Sequence, residues 1–146
     1  HTSMIESSMM INDRMPEYTV ERASKILNRF KKALNGSKVL VLGVAYKQDI
    51  DDYRESPALK VIEILESQGA EVTYYDPWVK EYRFKDKTKQ GIGELTQDVI
   101  QSSDLVMITT AHTNVDYSFV QQYAKAIFDT KNVMKNITDR HNIEVL

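Results

Sequence analysis

Residues 39–57 constrain the fold more than any other part of the chain. Their apolar run ends at Gly43, a polar loop follows, and Ser56 and Pro57 then open a segment with helical periodicity. A buried strand that leads through a loop into a helix is the start of a βαβ unit. In open α/β sheets, ligands bind at the carboxyl ends of the strands, where the strand order reverses. The loop after this strand is therefore the first candidate for a binding site.

The rest of the chain continues the alternation of strands and helices. Strands are predicted over residues 38–45, 70–75, 104–110 and 126–129, and helices over residues 57–68, 93–102 and 117–124. Such an alternation forms a parallel sheet with helices on both faces. We therefore expect an α/β fold with a doubly wound parallel sheet.

Two segments are harder to assign. Residues 78–90 carry five lysines and arginines without a helical or strand register, which favours a solvated loop, with room for a short edge strand, over a basic patch. Residues 143–146 are compatible with either a last strand or a frayed end.

A long amphipathic helix is predicted before the first strand, from about residue 4 to residue 34. Pro16 either starts this helix or kinks it, and Gly36 is a candidate C-cap. Two interpretations stay open: the helix packs on the sheet of its own domain, or it connects to a second domain or subunit. The predicted organisation is a helix over residues 1–35 and an α/β domain over residues 36–146.

Composition excludes several classes of function. A net charge of −2 over 146 residues lacks the basic excess of a nucleic-acid-binding surface. No apolar run approaches the roughly 18 residues of a membrane span, and no secretory signal is recognisable. The absence of cysteine excludes disulfides and cysteine nucleophiles within the chain and fits a cytoplasmic location. The three histidines are scattered, so no metal site is predicted.

Three loops should meet at the carboxyl edge of the sheet, namely residues 46–55, 111–116 and 129–132. Their cations are Lys47, Arg54 and Lys131. Three cations at the carboxyl ends of strands suit a pyrophosphate or a sugar nucleotide. The alternative is that Lys47 and Arg54 only balance the neighbouring carboxylates of a surface loop. Both interpretations stay open on composition alone.

Dinucleotide binding and acid–base catalysis have weaker support. The first strand is followed by Gly43-Val-Ala-Tyr-Lys47, which has one glycine where the dinucleotide fingerprint has three. His112 could act as a general base, but no serine or cysteine nucleophile pattern accompanies it. A surface or capping role for His112 is the favoured interpretation.

The motifs resemble a known family. Gly43-Val-Ala-Tyr-Lys47, Asp51-Asp-Tyr-Arg54-Glu-Ser-Pro57 and Gly69-Ala-Glu-Val-Thr-Tyr-Tyr-Asp76-Pro77 together closely resemble the C-terminal domain of the UDP-glucose/GDP-mannose dehydrogenase family. The Tyr53 variant and Asn114-Val-Asp-Tyr117 look most like the branch that acts on UDP-N-acetylglucosamine or related UDP-N-acetylhexosamines.

The resemblance implies a Rossmann-like domain that covers the UDP part of the substrate in an NAD-dependent nucleotide-sugar 6-dehydrogenase, an enzyme of polysaccharide biosynthesis. NAD and the catalytic cysteine would belong to an N-terminal domain outside this chain, which leaves no catalytic residue here. The helix over residues 1–35 would then be the connector that builds a homodimer, and residues 36–146 would be the nucleotide-sugar-binding domain. The alternatives are a non-catalytic dimerisation module and a module that senses a nucleotide.

Residue by residue, the resemblance implies that Tyr46 and Lys47 contact the UDP-sugar and that Arg54 faces the cofactor. Lys131 stands where many members have an arginine on the substrate side. Lysine keeps the charge but loses the bidentate fork of arginine.

Overall fold

The structure, a computed structural model, describes the backbone of residues 2–146 and the side chains of residues 15–146. The elements in chain order are α1 (Thr2–Arg29), β1 (Lys38–Leu42), α2 (Pro57–Ser67), β2 (Glu71–Tyr75), β3 (Glu81–Phe84), β4 (Lys87–Gln90), α3 (Gln97–Ser102), β5 (Leu105–Ile108), α4 (Tyr117–Tyr123), β6 (Ile127–Asp129) and β7 (Ile143–Val145). The order confirms the predicted alternation of strands and helices.

Five strands form one parallel sheet in the order β2-β1-β5-β6-β7. The chain first moves from β1 outward to β2 and then returns past β1 to β5. The strand order therefore reverses between β1 and β5, where Val39 is in register with Leu105 and Leu42 with Ile108. Because ligands bind at such a reversal, the loops after β1 and β5 hold the candidate site.

Helices cover both faces of the sheet, as a doubly wound fold requires. On one face, α1 and α2 pack against residues of the central strands that point toward these helices, such as Val41 and Met107. On the other face, α3, α4 and the segment around Met134 pack against Leu40 and Ile108. Both faces of β1 and β5 are buried, which explains their unbroken apolar sequences.

The helix α1 is part of this core over its second half. Val20, Ala23, Ile26 and Leu27 are at most 3% exposed and contact the same cluster as α2. The helix runs through Pro16, so of the two predicted alternatives the one in which Pro16 starts the helix is wrong. It also ends at Arg29 rather than near residue 34, because Lys31 adopts a left-handed backbone with φ of 61°. Packing on its own sheet is thus established for this half, while a connecting role stays a prediction.

The prediction of a solvated loop over residues 78–90 is wrong. Strands β3 and β4 pair antiparallel as a separate two-stranded hairpin, not as an edge strand of the main sheet. Lys85 and Asp86 form its turn with φ of 49° and 63°, the backbone of a two-residue primed turn. Tyr82 is buried, and the centroid of its ring lies 5.3 Å from that of Tyr74, so this pair packs the hairpin against the core.

Some observed strand and helix ends differ from the predicted ends by a few residues. The strand predicted to residue 45 ends at Leu42, because Gly43 adopts a φ of +92°. The helix predicted from residue 93 begins at Gln97 with Thr96 as its N-cap. For α2 the predicted start is confirmed, since the Ser56 side chain accepts a hydrogen bond from the Ala58 amide. Residues 143–145 form the last strand.

Candidate functional site at the carboxyl edge of the sheet

The site is built from three loops. We name them the β1 loop (residues 43–55), the β5 loop (residues 109–116) and the β6 loop (residues 130–134). The β1 and β5 loops follow the two strands between which the strand order reverses. The β6 loop follows the neighbouring strand on the β5 side.

The β1 and β5 loops are in very close contact at their first residues. A Cβ added to Gly43 would lie 2.4 Å from Cβ of Thr110 and 2.8 Å from its backbone nitrogen and oxygen. The Thr110 hydroxyl donates to the carbonyl of Ala45 at 2.8 Å, and the Thr109 hydroxyl donates to the carbonyl of Gly43. Glycine at position 43 is therefore required both by its positive φ and by this approach.

Asp76, directly after β2, anchors the start of the β1 loop. Its carboxylate is fully buried and accepts hydrogen bonds from the amides of Val44, Ala45, Trp78 and Val79 and from the ring of His112. Burial on its own would raise the pKa of Asp76. The hydrogen bonds from His112 and from the backbone amides outweigh it, so the pKa is lowered.

His112 is buried, with 1% exposure, so the predicted surface or capping role is wrong. Its Nε2 lies 2.9 Å from Oδ2 of Asp76, and its Nδ1 lies 2.8 Å from the backbone nitrogen of Asp49. Because the Asp49 amide can only donate, Nδ1 accepts, and the ring proton is on Nε2, where it is donated to Asp76. The ring is thus neutral and joins the end of β2 to the middle of the β1 loop.

Asp49 ties the middle of the β1 loop to the β5 loop a second time. Its carboxylate accepts hydrogen bonds from the amide of Thr113 at 2.9 Å and from the Thr113 hydroxyl at 2.8 Å. These two hydrogen bonds lower the pKa of Asp49. Asp49 itself has a φ of 61°, an uncommon conformation that these contacts maintain.

Three of the predicted binding residues lie on the β1 loop. Tyr46 is half exposed, and Nζ of Lys47 lies 5.8 Å from the centroid of its ring. Arg54 forms two hydrogen bonds of 3.1 Å with the carboxylate of Asp52, which lower the pKa of Asp52. Among the side chains of residues 15–146, no carboxylate forms an ion pair with Lys47. Tyr46, Asp52 and Arg54 line one shallow depression, together with Glu55.

Lys131 lies on the β6 loop and lines a different depression. The buried carboxylate of Asp129 organises this loop by accepting hydrogen bonds from the amides of Lys131, Val133 and Met134. Lys131 borders an apolar groove between α1 and α2 that Pro57 and Thr109 also line. All four predicted residues are therefore at the carboxyl edge. Of these four, Tyr46 and Arg54 share a depression, whereas Lys131 lines a different one and Lys47 lines neither.

The sequence analysis missed Asp76, Asp49 and His112 as a connected group. In the sequence, Asp76 is notable only as part of a family motif, and His112 has no serine or cysteine nucleophile pattern beside it. One signal was available, because each of these residues directly follows or nearly follows a predicted strand. Strand ends that share an edge bring such residues together.

In the part of the chain that the structure describes, no group of three or more histidine, cysteine, aspartate or glutamate residues is arranged to hold a metal ion. No described helix combines the length and apolar character needed to cross a membrane.

Comparison with known proteins gives a consistent result. The model of the UDP-glucose/GDP-mannose dehydrogenase family, UDP binding domain, matches residues 40–136, which include all three loops. A UDP-N-acetyl-D-mannosamine dehydrogenase from Methanocaldococcus jannaschii is 32% identical over 142 residues, covering 92% of this chain and 30% of that protein.

Two solved structures show the same similarity. A UDP-N-acetyl-mannosamine dehydrogenase from Staphylococcus aureus has a TM-score of 0.73 and 32% identity, covering 98% of this chain and 33% of that one. A UDP-D-ManNAc dehydrogenase from Pyrococcus horikoshii has a TM-score of 0.75 and 28% identity, covering 93% of this chain and 31% of that one. The chain thus spans about a third of the length of these relatives. It belongs to the UDP-glucose/GDP-mannose dehydrogenase family and corresponds to the family's UDP binding domain.

Proposed function

We propose that this chain is the UDP-sugar-binding part of an NAD-dependent nucleotide-sugar 6-dehydrogenase. The observation that carries the proposal is the match of the family's UDP binding domain to residues 40–136. That range contains the loops that meet at the reversal of strand order, together with Tyr46, Lys47, Arg54 and Lys131.

In this proposal the cations of the loops bind and orient the substrate. Lys47 has no carboxylate partner among the side chains of residues 15–146, so its ammonium group is available to a pyrophosphate. Arg54 would exchange its exposed pairing with Asp52 for a contact at the boundary with a second domain. The half-exposed ring of Tyr46, next to Lys47, offers an apolar surface to the base or the sugar. These roles position the reacting sugar but move no electrons or protons.

The first turn of this domain does not fit the main part of NAD. In a dinucleotide fold, the backbone of the first loop must come close to the pyrophosphate. Here one side of Gly43 is closed, because Thr110 lies where a Cβ of residue 43 would be, and the loop has a single glycine where the dinucleotide fingerprint has three. We therefore infer that NAD is bound by another domain of the enzyme, with Arg54 facing it from this chain. The homodimer expected from the resemblance stays a prediction.

For the sugar we propose a UDP-N-acetylhexosamine. The relatives from Methanocaldococcus jannaschii and Staphylococcus aureus are named as UDP-N-acetylmannosamine dehydrogenases, and both cover nearly all of this chain. UDP-N-acetyl-D-mannosamine and UDP-N-acetylglucosamine are the two candidates to compare, with UDP-glucose as the ligand that lacks the acetamido group.

The test is calorimetric titration of the chain with these three UDP-sugars and with NAD. UDP-sugars should bind, NAD should bind much more weakly, and Lys47→Ala should weaken UDP-sugar binding by about fivefold to tenfold through the loss of one charged contact. Lys87→Ala is the matched control, because Lys87 is also an exposed lysine but lies on the hairpin strand β4.

Three results would contradict the proposal. NAD could bind more tightly than every UDP-sugar, no UDP-sugar could bind at all, or Lys47→Ala and Lys87→Ala could weaken binding equally. The last result would mean that Lys47 acts only through the net charge of the domain.

A further inference from the structure

We propose that His112 is a positioning residue of the UDP-sugar site. Its neutral ring would hold the β1 loop in the conformation that presents Tyr46, Lys47 and Arg54 to the substrate. This inference rests on the proposed function for its purpose, although the structural role of the ring can be tested without a ligand.

The first step is the placement of the ring. His112 follows β5, Asp76 follows β2 and Asp49 lies in the β1 loop, so one side chain joins three separate segments. Each ring nitrogen has its own partner, and the two distances are 2.8 Å and 2.9 Å. Both His112 and Asp76 are buried, which protects these hydrogen bonds from competition with water.

The second step is the position of Asp49 within the loop. It lies between Lys47 on one side and Arg54 on the other, in a stretch without regular secondary structure. Its φ of 61° is uncommon for a residue other than glycine and has to be maintained by contacts. The amide is fixed by His112 and the carboxylate by Thr113, so these contacts hold the middle of the loop against the β5 loop. The Tyr46 amide donates to the Asp52 carbonyl at 2.7 Å and closes the loop on itself.

The third step is the dependence on the charge of the ring. The charged or titratable groups around His112 are the carboxylates of Asp76 and Asp49, at 2.9 Å and 3.9 Å, and the hydroxyl of Tyr117, which donates to its carbonyl. A second proton on Nδ1 would turn that nitrogen into a donor facing the N–H of Asp49. Such a donor could not accept from the Asp49 amide. The neutral ring with its proton on Nε2 is therefore the form that holds the β1 loop.

Two matched variants separate the two ring nitrogens. In His112→Asn, the side-chain oxygen takes the place of Nδ1 and can still accept from Asp49. In His112→Gln, the side-chain nitrogen takes the place of Nε2 and can still donate to Asp76. Each variant keeps one contact and loses the other, so a purely structural role of the buried ring would affect both similarly.

The measurement is amide hydrogen exchange by NMR on the chain without ligand, with the amides of Val41 and Met107 in the central strands as the reference for global stability. We expect the Asp49 amide to exchange about tenfold faster in His112→Gln than in His112→Asn, relative to this reference. Titration with UDP-N-acetylglucosamine, whose pyrophosphate diester does not titrate near neutral pH, should give weaker binding for His112→Gln than for His112→Asn.

A second measurement keeps the proposal testable if both variants fail to fold. In the wild type at neutral pH, imidazole nitrogen shifts should show a proton on Nε2 and none on Nδ1 of His112. The opposite tautomer, or a charged ring, overturns the proposal. So does equal protection of the Asp49 amide in the two folded variants.

The two proposals can fail separately. If the wild type binds no UDP-sugar but Asp49 is released only in His112→Gln, the proposed function fails and the role of His112 in holding the loop stands. If the wild type binds UDP-sugars and both variants bind equally well, the proposed function stands and the positioning role fails.

Discussion

Replacing Gly43 with alanine should strongly lower the free energy of unfolding. Alanine substitutions at two other glycines separate the backbone part of this destabilisation from the steric part. Gly43 combines a φ of +92° with a Cβ position 2.4 Å from Thr110. Gly36 has a similar φ of +86°, but a Cβ there would meet nothing within 4 Å. Gly93 has neither a positive φ nor a neighbour within that distance. Gly43→Ala should therefore have both a backbone cost and a steric cost, Gly36→Ala the backbone cost alone, and Gly93→Ala neither.

The expected magnitudes follow from this division. An alanine forced into a left-handed backbone costs about 1–2 kcal/mol, which is the expectation for Gly36→Ala. At Gly43 the added methyl group also collides with backbone atoms of Thr110, and such overpacking typically adds about 1–3 kcal/mol. We therefore expect Gly43→Ala to lower the free energy of unfolding by about 2–5 kcal/mol. Gly93→Ala should stay within about 0.5 kcal/mol of the wild type.

The assay is urea denaturation followed by circular dichroism, since the slope with denaturant reports whether the unfolding transition itself has changed. A domain of this size is typically stable by about 5–15 kcal/mol, so Gly43→Ala could still be folded and measured. UDP-sugar titration of the folded variant should also show weaker binding, because the clash pushes the β1 and β5 loops apart.

One result would refute this reasoning. If Gly43→Ala and Gly36→Ala were destabilised by the same amount, the contact with Thr110 would carry no cost, and the two loops would not be packed as closely as described. The difference between these two variants is the informative quantity, because the backbone cost is common to both and cancels.

Two further predictions concern the residues that organise the loops. Asp76→Asn should lower the free energy of unfolding by about 3 kcal/mol at neutral pH, because several amides lose a charged acceptor. The pKa of Asp76 is lowered from its ordinary value of 3.8, so the ionised carboxylate stabilises the fold above that pH and loses this effect as the pH falls through the folded pKa. From about pH 5 downward, the melting temperature should therefore fall less steeply for Asp76→Asn than for the wild type. Equal slopes of melting temperature against pH for the two proteins would contradict this prediction. Lys131→Arg should tighten UDP-sugar binding, because arginine restores a bidentate contact, while Lys131→Ala should weaken it; calorimetry decides, and equal binding by all three proteins would remove Lys131 from the site.

The order of elements could be predicted because each leaves a local signal. The apolar strands β1 and β5 and the Ser56-Pro57 start of α2 depend on residues close together in sequence. The hairpin of β3 and β4 left a weaker signal. Its turn is made by Lys85 and Asp86 instead of the glycine-containing pairs that identify such turns, and its strands are mostly charged.

The position of the candidate site could be predicted from the sequence, but the hydrogen bonds that hold its loops together could not. The cations of the β1 and β6 loops follow predicted strands, so their position at one edge could be inferred from topology. The burial of His112 could not, because it depends on Asp76, which is 36 residues away in sequence, and on the course of the β1 loop. A histidine that looks isolated in sequence is fully paired once the ends of β2 and β5 lie at the same edge.

The overall charge of the chain also hides how this edge of the sheet is charged. The net charge of −2 counts Asp76 and Asp129 in the same way as surface carboxylates. Both are buried and satisfied by hydrogen bonds. Asp129 accepts from amides of its own loop, and Asp76 accepts also from amides of the β1 loop and from His112, so both fix the backbone instead of pairing with Lys47 or Lys131. On the β1 loop, by contrast, Asp52 pairs with Arg54 and lines the same depression. A net charge of −2 therefore does not exclude a site for an anion at this edge, because the carboxylates of Asp76 and Asp129 face inward while Lys47 and Lys131 are exposed.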